Sequence, residues 1–257
     1  MKRVVLPIAA LALGAVVMSA MRKSPVAPAA APLPAHHIII SSGAIAISPG
    51  AIAHAVAAVV APHDENKELR ASTRRRLKAN QAGTYIADIL EERDSSLARW
   101  PDRGGVPLKV WIQPQSGVVD FTDGYVARVR EAFEDWDRLN LPIHFAFVED
   151  STSADVHVNW IDRFSDPISG RTRWSHDDDW EITDANIVLA LHHNHGEQLD
   201  LESMHAMALH EIGHLLGLDH TRDSMSVMAP RVRVRSLSDA DRATVRLVYA
   251  LPAGSVR

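Results

Sequence analysis

The sequence predicts an α+β domain on three observations. Short β-branched or apolar runs recur between residues 107 and 191 with one amphipathic helix among them. A second helix comes late, from about Leu201, and runs into a histidine-rich pattern ending at His220. A third helix closes the chain from Ser238. Strand, helix, strand, strand and then a late helix is an α+β order rather than a repeating β–α one.

The amino-terminal third reads differently. Lys2-Arg3 precede an apolar run from Val4 to Met21. The run is long for a signal peptide and just long enough to span a membrane. Residues 1–23 therefore read as a signal peptide or a signal anchor. Met18 is large for the position before a cleavage after Ala20, and Arg22-Lys23 follow at once, so both readings stay open. Either one exports the chain: it is expected to be periplasmic, extracellular, or anchored through residues 4–21 to the outer face of the cytoplasmic membrane. Residues 24–61 form a Pro/Ala-rich low-complexity apolar segment. Its first part is a stiff linker. Its second, Ile38–Ala61, is broken by Gly43, Pro49 and Gly50, which favours a surface-associating stretch over a second span. Residues 64–99 read as charged helix, with Arg74-Arg75-Arg76 on a solvated face and Ile86, Ile89, Leu90 and Leu97 as a thin apolar stripe. As a unit, 62–96 is a charged helical connector or a short prosegment.

Residues 97–257 carry the domain. Pro107–Ile112 alternates and reads as the first strand. Thr122 and Asp123 can cap a helix running to about Leu139, with Val126, Val129, Ala132, Phe133 and Trp136 at helical spacing. Pro142 interrupts. Ile143–Val148 and Asp155–Trp160 are the next strands. Asp166–Trp180 is polar and reads as a loop with a short edge strand, and Ile182–Leu191 as a buried strand. Asp200 can cap the late helix, with Met204, Met207, Ala208, Leu209 and Ile212 packing beneath the sheet. Ser238 can cap a last helix, Asp239–Tyr249.

The chemistry lies in His210-Glu211-Ile212-Gly213-His214-Leu215-Leu216-Gly217-Leu218-Asp219-His220. On a helix His210 and His214 leave the same face one turn apart, so two imidazole nitrogens can share one zinc ion. Glu211 sits beside them, placed to take a proton from activated water. Gly217 lets the chain leave the helix, and the turn returns His220 as a third ligand. Three protein ligands and an open position describe a catalytic zinc site rather than a structural one.

This motif resembles the signature of the metzincin metallopeptidases. Ser226-Val227-Met228-Ala229-Pro230 is similar to their Met-turn, with Met228 as the methionine beneath the metal. Thr221, Met-Ala-Pro, and Leu237-Ser238-Asp239-Ala240-Asp241 resemble the matrixin branch. Leu97-Ala98-Arg99-Trp100-Pro101 and Ala154-Asp155-Val156 resemble the start and a middle strand of bacterial matrixin-like proteases. The resemblance covers about residues 97–252. It implies a zincin-like fold with a twisted mixed sheet, an active-site helix, the Met-turn and a carboxy-terminal helix. It also implies a zinc-dependent endopeptidase with Glu211 as general base, His210, His214 and His220 as zinc ligands, and Pro230 and Val232 in the wall of the pocket after the scissile bond. Asp155 matches a position that often touches calcium, and a plain strand-edge aspartate is the equal alternative. His176, His192, His193 and His195 lie where relatives hold further metals, but the usual His-x-Asp pattern is not recognisable. Surface residues and a second metal are both open for that segment.

Composition narrows the partners. Residues 101–257 carry 15 basic and 25 acidic side chains, an acidic balance that argues against nucleic acid. It is compatible with Ca2+ and requires none. Zn2+ is the expected cofactor, a protein or peptide the expected partner, and a monomer the expected state. The chain has no cysteine, so latency through a prosegment thiolate on the metal is excluded. Arg103-Gly104-Gly105-Val106-Pro107 is read as a chance likeness to such a prosegment, because it runs straight into the first strand. Two other readings stand beside the peptidase: an inactive zincin-like binding module, and a metal-dependent hydrolase of a non-peptide substrate.

Overall fold

A computed structural model describes residues 62–257, so the readings of residues 1–23 and 24–61 fall outside the described residues. The elements in chain order are α1 (Pro62–Asn80), α2 (Ile86–Glu92), β1 (Ser96–Leu97), β2 (Leu108–Ile112), α3 (Asp123–Asp137), β3 (Phe145–Phe147), β4 (Val156–Ile161), β5 (Gly170–His176), β6 (Ile182–Ala190), α4 (Leu201–Leu215), α5 (Asp239–Ala250) and β7 (Gly254–Ser255). No helix among the described residues is long and apolar enough to cross a membrane.

Five strands make one mixed sheet in the order β3-β2-β4-β6-β5. Four are parallel, and β5 alone runs antiparallel, at the edge. In β2 and β4 alternate residues are buried: Leu108, Val110 and Ile112, then Val156, Val158 and Trp160. Helix α3 buries Tyr125, Val129, Ala132, Phe133 and Trp136, a stripe at helical spacing, and packs along α4. Phe133 meets Phe145 and Phe147 of β3 edge to face, with ring centroids 4.9 and 5.9 Å apart. Thr122 takes the cap position of α3, but its side chain makes no capping bond.

The structure corrects one local expectation and sharpens others. Residues 64–99 are two helices and a short strand, not one helix. A turn through Gly83, at φ +73°, separates α1 from α2, and Leu97 pairs with Gly254 in a two-stranded ribbon of β1 and β7. Arg74, Arg75 and Arg76 lie on an exposed face, from which Arg74 and Arg76 also donate to the carbonyls of Val256 and Ala250 and tie α1 to the carboxy terminus. Leu77, Tyr85, Ile86 and Ile89 share one core with β2 and α4. Finally, the edge strand expected within Asp166–Trp180 is β5, and pairing along its length with β6 carries it to seven residues despite its polar composition.

Candidate metal centre and cleft

Helix α4 is fixed at both ends before any ligand is considered. At its start Asp200 accepts from the Ser203 amide at 2.6 Å, as expected for the cap. The Trp136 indole donates to Leu209 O at 3.0 Å, and the Trp100 indole to Leu215 O at 3.0 Å, satisfying a carbonyl of the last turn. Gly217, at φ +89°, then ends the helix. Its amide bonds His214 O and the Leu218 amide bonds Gly213 O, the paired pattern that lets a left-handed residue close a helix. A Cβ on Gly217 would stand 2.0 Å from Ala98 O, so this site needs glycine twice over.

His210, His214 and His220 converge, each offering a nitrogen within 4.8 Å of the other two. No other set of three His, Cys, Asp or Glu side chains converges this way among the described residues. His210 Nδ1 lies 2.6 Å from Val227 O, and His214 Nδ1 lies 3.1 Å from Leu218 O. A carbonyl only accepts, so both Nδ1 atoms carry the proton and both Nε2 atoms keep a lone pair. Those two Nε2 atoms face each other at 3.2 Å with no proton to share. Nitrogens about 2.0–2.1 Å from a tetrahedral zinc stand about 3.3 Å apart, so this donor set fits zinc. Burial drives His210 down to about 4, with the Val227 bond opposing, and burial also takes His214 well below its ordinary value. Both imidazoles are therefore neutral donors.

Glu211 is 3 % exposed and faces β5. Thr172 Oγ1 donates to its Oε2 at 2.6 Å and to its backbone carbonyl at 2.9 Å. Burial raises its pKa to about 7, and the Thr172 bond pulls the other way. A carboxylate near neutrality is suited to taking and giving a proton. Gly170 makes room for it, since a Cβ there would lie 2.4 Å from Glu211 Oε1.

The turn after His220 supports this arrangement from below. Met228 is fully buried, with Sδ so close to Gly213 of α4 that an added Cβ would sit 2.3 Å from it. Asp241, also fully buried, holds the turn. It accepts from Ser226 Oγ and from the Val227 amide at 3.2 Å, while completing a capping box with Ser238 at the start of α5. Tyr85 OH reaches the same carboxylate at 3.1 Å. Val227 thus has its amide fixed by Asp241 and its carbonyl on His210.

A cleft of about 1170 Å³ runs past these groups between β5 and the Met-turn. Pro230 and Val232 line it, and so does Arg231, which sequence reasoning had left without a role. The histidines of 176–195 go to separate places. His176 stacks on Trp180 at 4.4 Å, and His193 Nδ1 meets Ser169 Oγ at 3.0 Å beside the cleft. His192 Nε2 lies 3.1 Å from Asp120, and its Nδ1 lies 2.8 Å from Asp162, out of line for a hydrogen bond. Asp155 pairs with Arg103 at 3.2 Å and accepts from the Lys109 amide at 2.8 Å. Sequence reasoning missed Thr172, Asp88 and Arg93. None belongs to a local pattern, and each reaches the site only through the fold.

A mixed sheet with one antiparallel edge strand, a helix bearing two histidines, a third histidine on the following loop and a methionine turn beneath define a metzincin. The chain belongs to the matrixin family, whose profile matches residues 112–250. It is 26% identical to matrix metalloproteinase-C of Caenorhabditis elegans over 180 residues, 63% of this chain and 29% of that one. It is 30% identical to metalloendoproteinase 1-MMP of Arabidopsis thaliana over 124 residues, 42% of this chain and 32% of that one. With metalloendoproteinase 5-MMP of the same plant it shares 28% over 154 residues, 52% of this chain and 39% of that one. The chain spans about a third of the length of these curated relatives.

Proposed function

We propose that this chain is an exported zinc-dependent endopeptidase, with His210, His214 and His220 holding the metal and Glu211 as general base. The observation that carries the reading is the convergence of three imidazole nitrogens beside a buried carboxylate at the sheet's edge strand. A zinc ion in this donor set supplies Lewis acidity, activating water and polarising a carbonyl. Glu211 accepts the proton of the attacking water and passes it to the leaving amine. Thr172 holds that carboxylate in one orientation through the 2.6 Å bond. The Val227 and Leu218 carbonyls fix the tautomers of His210 and His214. A peptide lies extended along β5 as an added strand, its main chain supplying most of the affinity. The residue after the scissile bond faces Pro230 and Val232. Export is supported by Lys2-Arg3 and the apolar run Val4–Met21.

Cleavage of a peptide library by the purified chain tests this directly. A chelator should abolish turnover and zinc should restore it. Glu211→Ala should retain zinc and lose about 10²–10⁴-fold in rate. Zinc binding with no peptide cleaved would favour the binding module. Cleavage of other substrates alone would favour the non-peptide hydrolase.

A further inference from the structure

Helix α2 touches the loop that carries His220 on both sides of that residue. From the end of α2 the Arg93 guanidinium donates to Gly217 O at 2.7 Å and to Leu218 O at 2.9 Å, and its Nε lies 2.8 Å from Asp219 Oδ2. The same group packs over the Trp174 ring of β5, 5.1 Å from its centroid. Asp219 Oδ1 in turn accepts from the His220 amide at 3.2 Å. Beyond His220, Asp88 accepts from Thr221 Oγ1 at 2.8 Å and from the Arg222 amide at 3.3 Å. Helix α2 is itself immobilised by buried Ile86 and Ile89, and by the Tyr85 amide on Thr244 Oγ1 at 3.1 Å.

His220 needs outside support in a way its partners do not. The rings of His210 and His214 each donate to a carbonyl, but the ring of His220 makes no hydrogen bond among the described residues and is exposed. Its place is therefore set by the loop backbone. A guanidinium carries five donors in a rigid planar fork, so Arg93 can reach three successive residues at once across a span that a compact ammonium matches less well. From 62–96, Arg93 lines the cleft itself, while Asp88, Glu91 and Glu92 line an adjoining cavity on the other side of His220.

We propose that Arg93 is a positioning residue for His220, and that residues 62–96 are a working part of the site rather than a cover removed to expose it. The inference rests on the reading of His220 as a metal ligand. Its test titrates the metal-free full-length chain with Co2+ alone, and with Zn2+ against a chelating dye, while circular dichroism reports the fold. Arg93→Ala should weaken metal affinity about 10–100-fold, the usual effect of losing a group that orients a ligand. Its cobalt absorption should move toward that of His220→Ala, and turnover should fall. Arg93→Lys should recover part of the loss. In a His220→Ala background Arg93→Ala should add nothing. Arg74→Ala, which cuts a tether of α1 to Val256 and touches no part of the loop, should leave affinity unchanged. A folded Arg93→Ala protein with wild-type affinity, an equal loss in both backgrounds, or a rise in turnover overturns the proposal. If Arg93→Ala does not fold, Asp219→Asn removes the ion pair alone and must weaken affinity in the same direction. Wild-type affinity in Asp219→Asn would overturn the proposal too. Unchanged affinity in His220→Ala instead fells the metal reading of His220, and this inference with it.

Discussion

His210 and His214 leave one face of α4, and the helix's own ladder sets their separation. His220 rides on a loop held in part by Arg93, from 124 residues upstream of Gly217. The two helical histidines are buried or half-buried and each has its ring tied to a carbonyl, whereas His220 is exposed. One half of the site is thus built by local geometry and the other by tertiary contacts. A short-range periodicity is robust to distant changes. A loop is only as well placed as the groups that reach it.

The sharpest way to break the comparison is at the junction of the two halves. Gly217→Ala puts a Cβ against Ala98 O in a left-handed conformation that costs about 1–2 kcal/mol by itself. With the clash, a loss of about 3–4 kcal/mol is expected, because backbone cannot yield as a side chain would. Chemical denaturation of the metal-free protein measures it, and a loss under about 1 kcal/mol would mean that the loop relaxes freely.

The next effect is on turnover rather than stability. Gly170→Ala drives a Cβ into the Glu211 carboxylate, which can swing aside only by leaving Thr172. A displacement on the order of 1 Å at a reacting group can lower the rate about 10²-fold. Zinc content should stay at the wild-type level. Unchanged kcat would show that the observed position of Glu211 is not the working one.

The two halves should also separate in the metal-free state. His210→Ala leaves the buried Val227 carbonyl without its donor, which costs about 1–3 kcal/mol. His220→Ala removes an exposed ring and should change stability by less than about 0.5 kcal/mol. Thermal melts of the two variants after chelation make the comparison, and equal losses would abolish the distinction.

The smallest effect concerns the pocket wall. Val232 is a small residue for a pocket wall and leaves room beside it, so a large apolar residue should be preferred after the scissile bond. Leu, Met and Phe should differ by only about 1 kcal/mol, the low end of what a methylene-sized contact contributes. Peptide profiling reads this, and a strong requirement for a charged residue would instead point to Arg231, which lines the same cleft.

The sequence by itself determined what rests on short-range order. Helical spacing placed His210 and His214 on one face, Asp200 and Ser238 marked the starts of α4 and α5, and Gly217 marked where the first of these ends. The stripe of Val129, Phe133 and Trp136 marked the core face of α3. These signals are written within a turn or two of chain, where backbone geometry is nearly independent of the rest. Only the tertiary structure decided that Thr172 holds Glu211, that Asp241 joins α5 to the Met-turn, and that α1 and α2 belong to the same core. It also extended the short edge strand expected there to the seven residues of β5 and brought Arg93 onto the loop before His220. Each of these depends on which groups meet once apolar surfaces far apart in sequence are buried together, and no local pattern encodes a partner a hundred residues away.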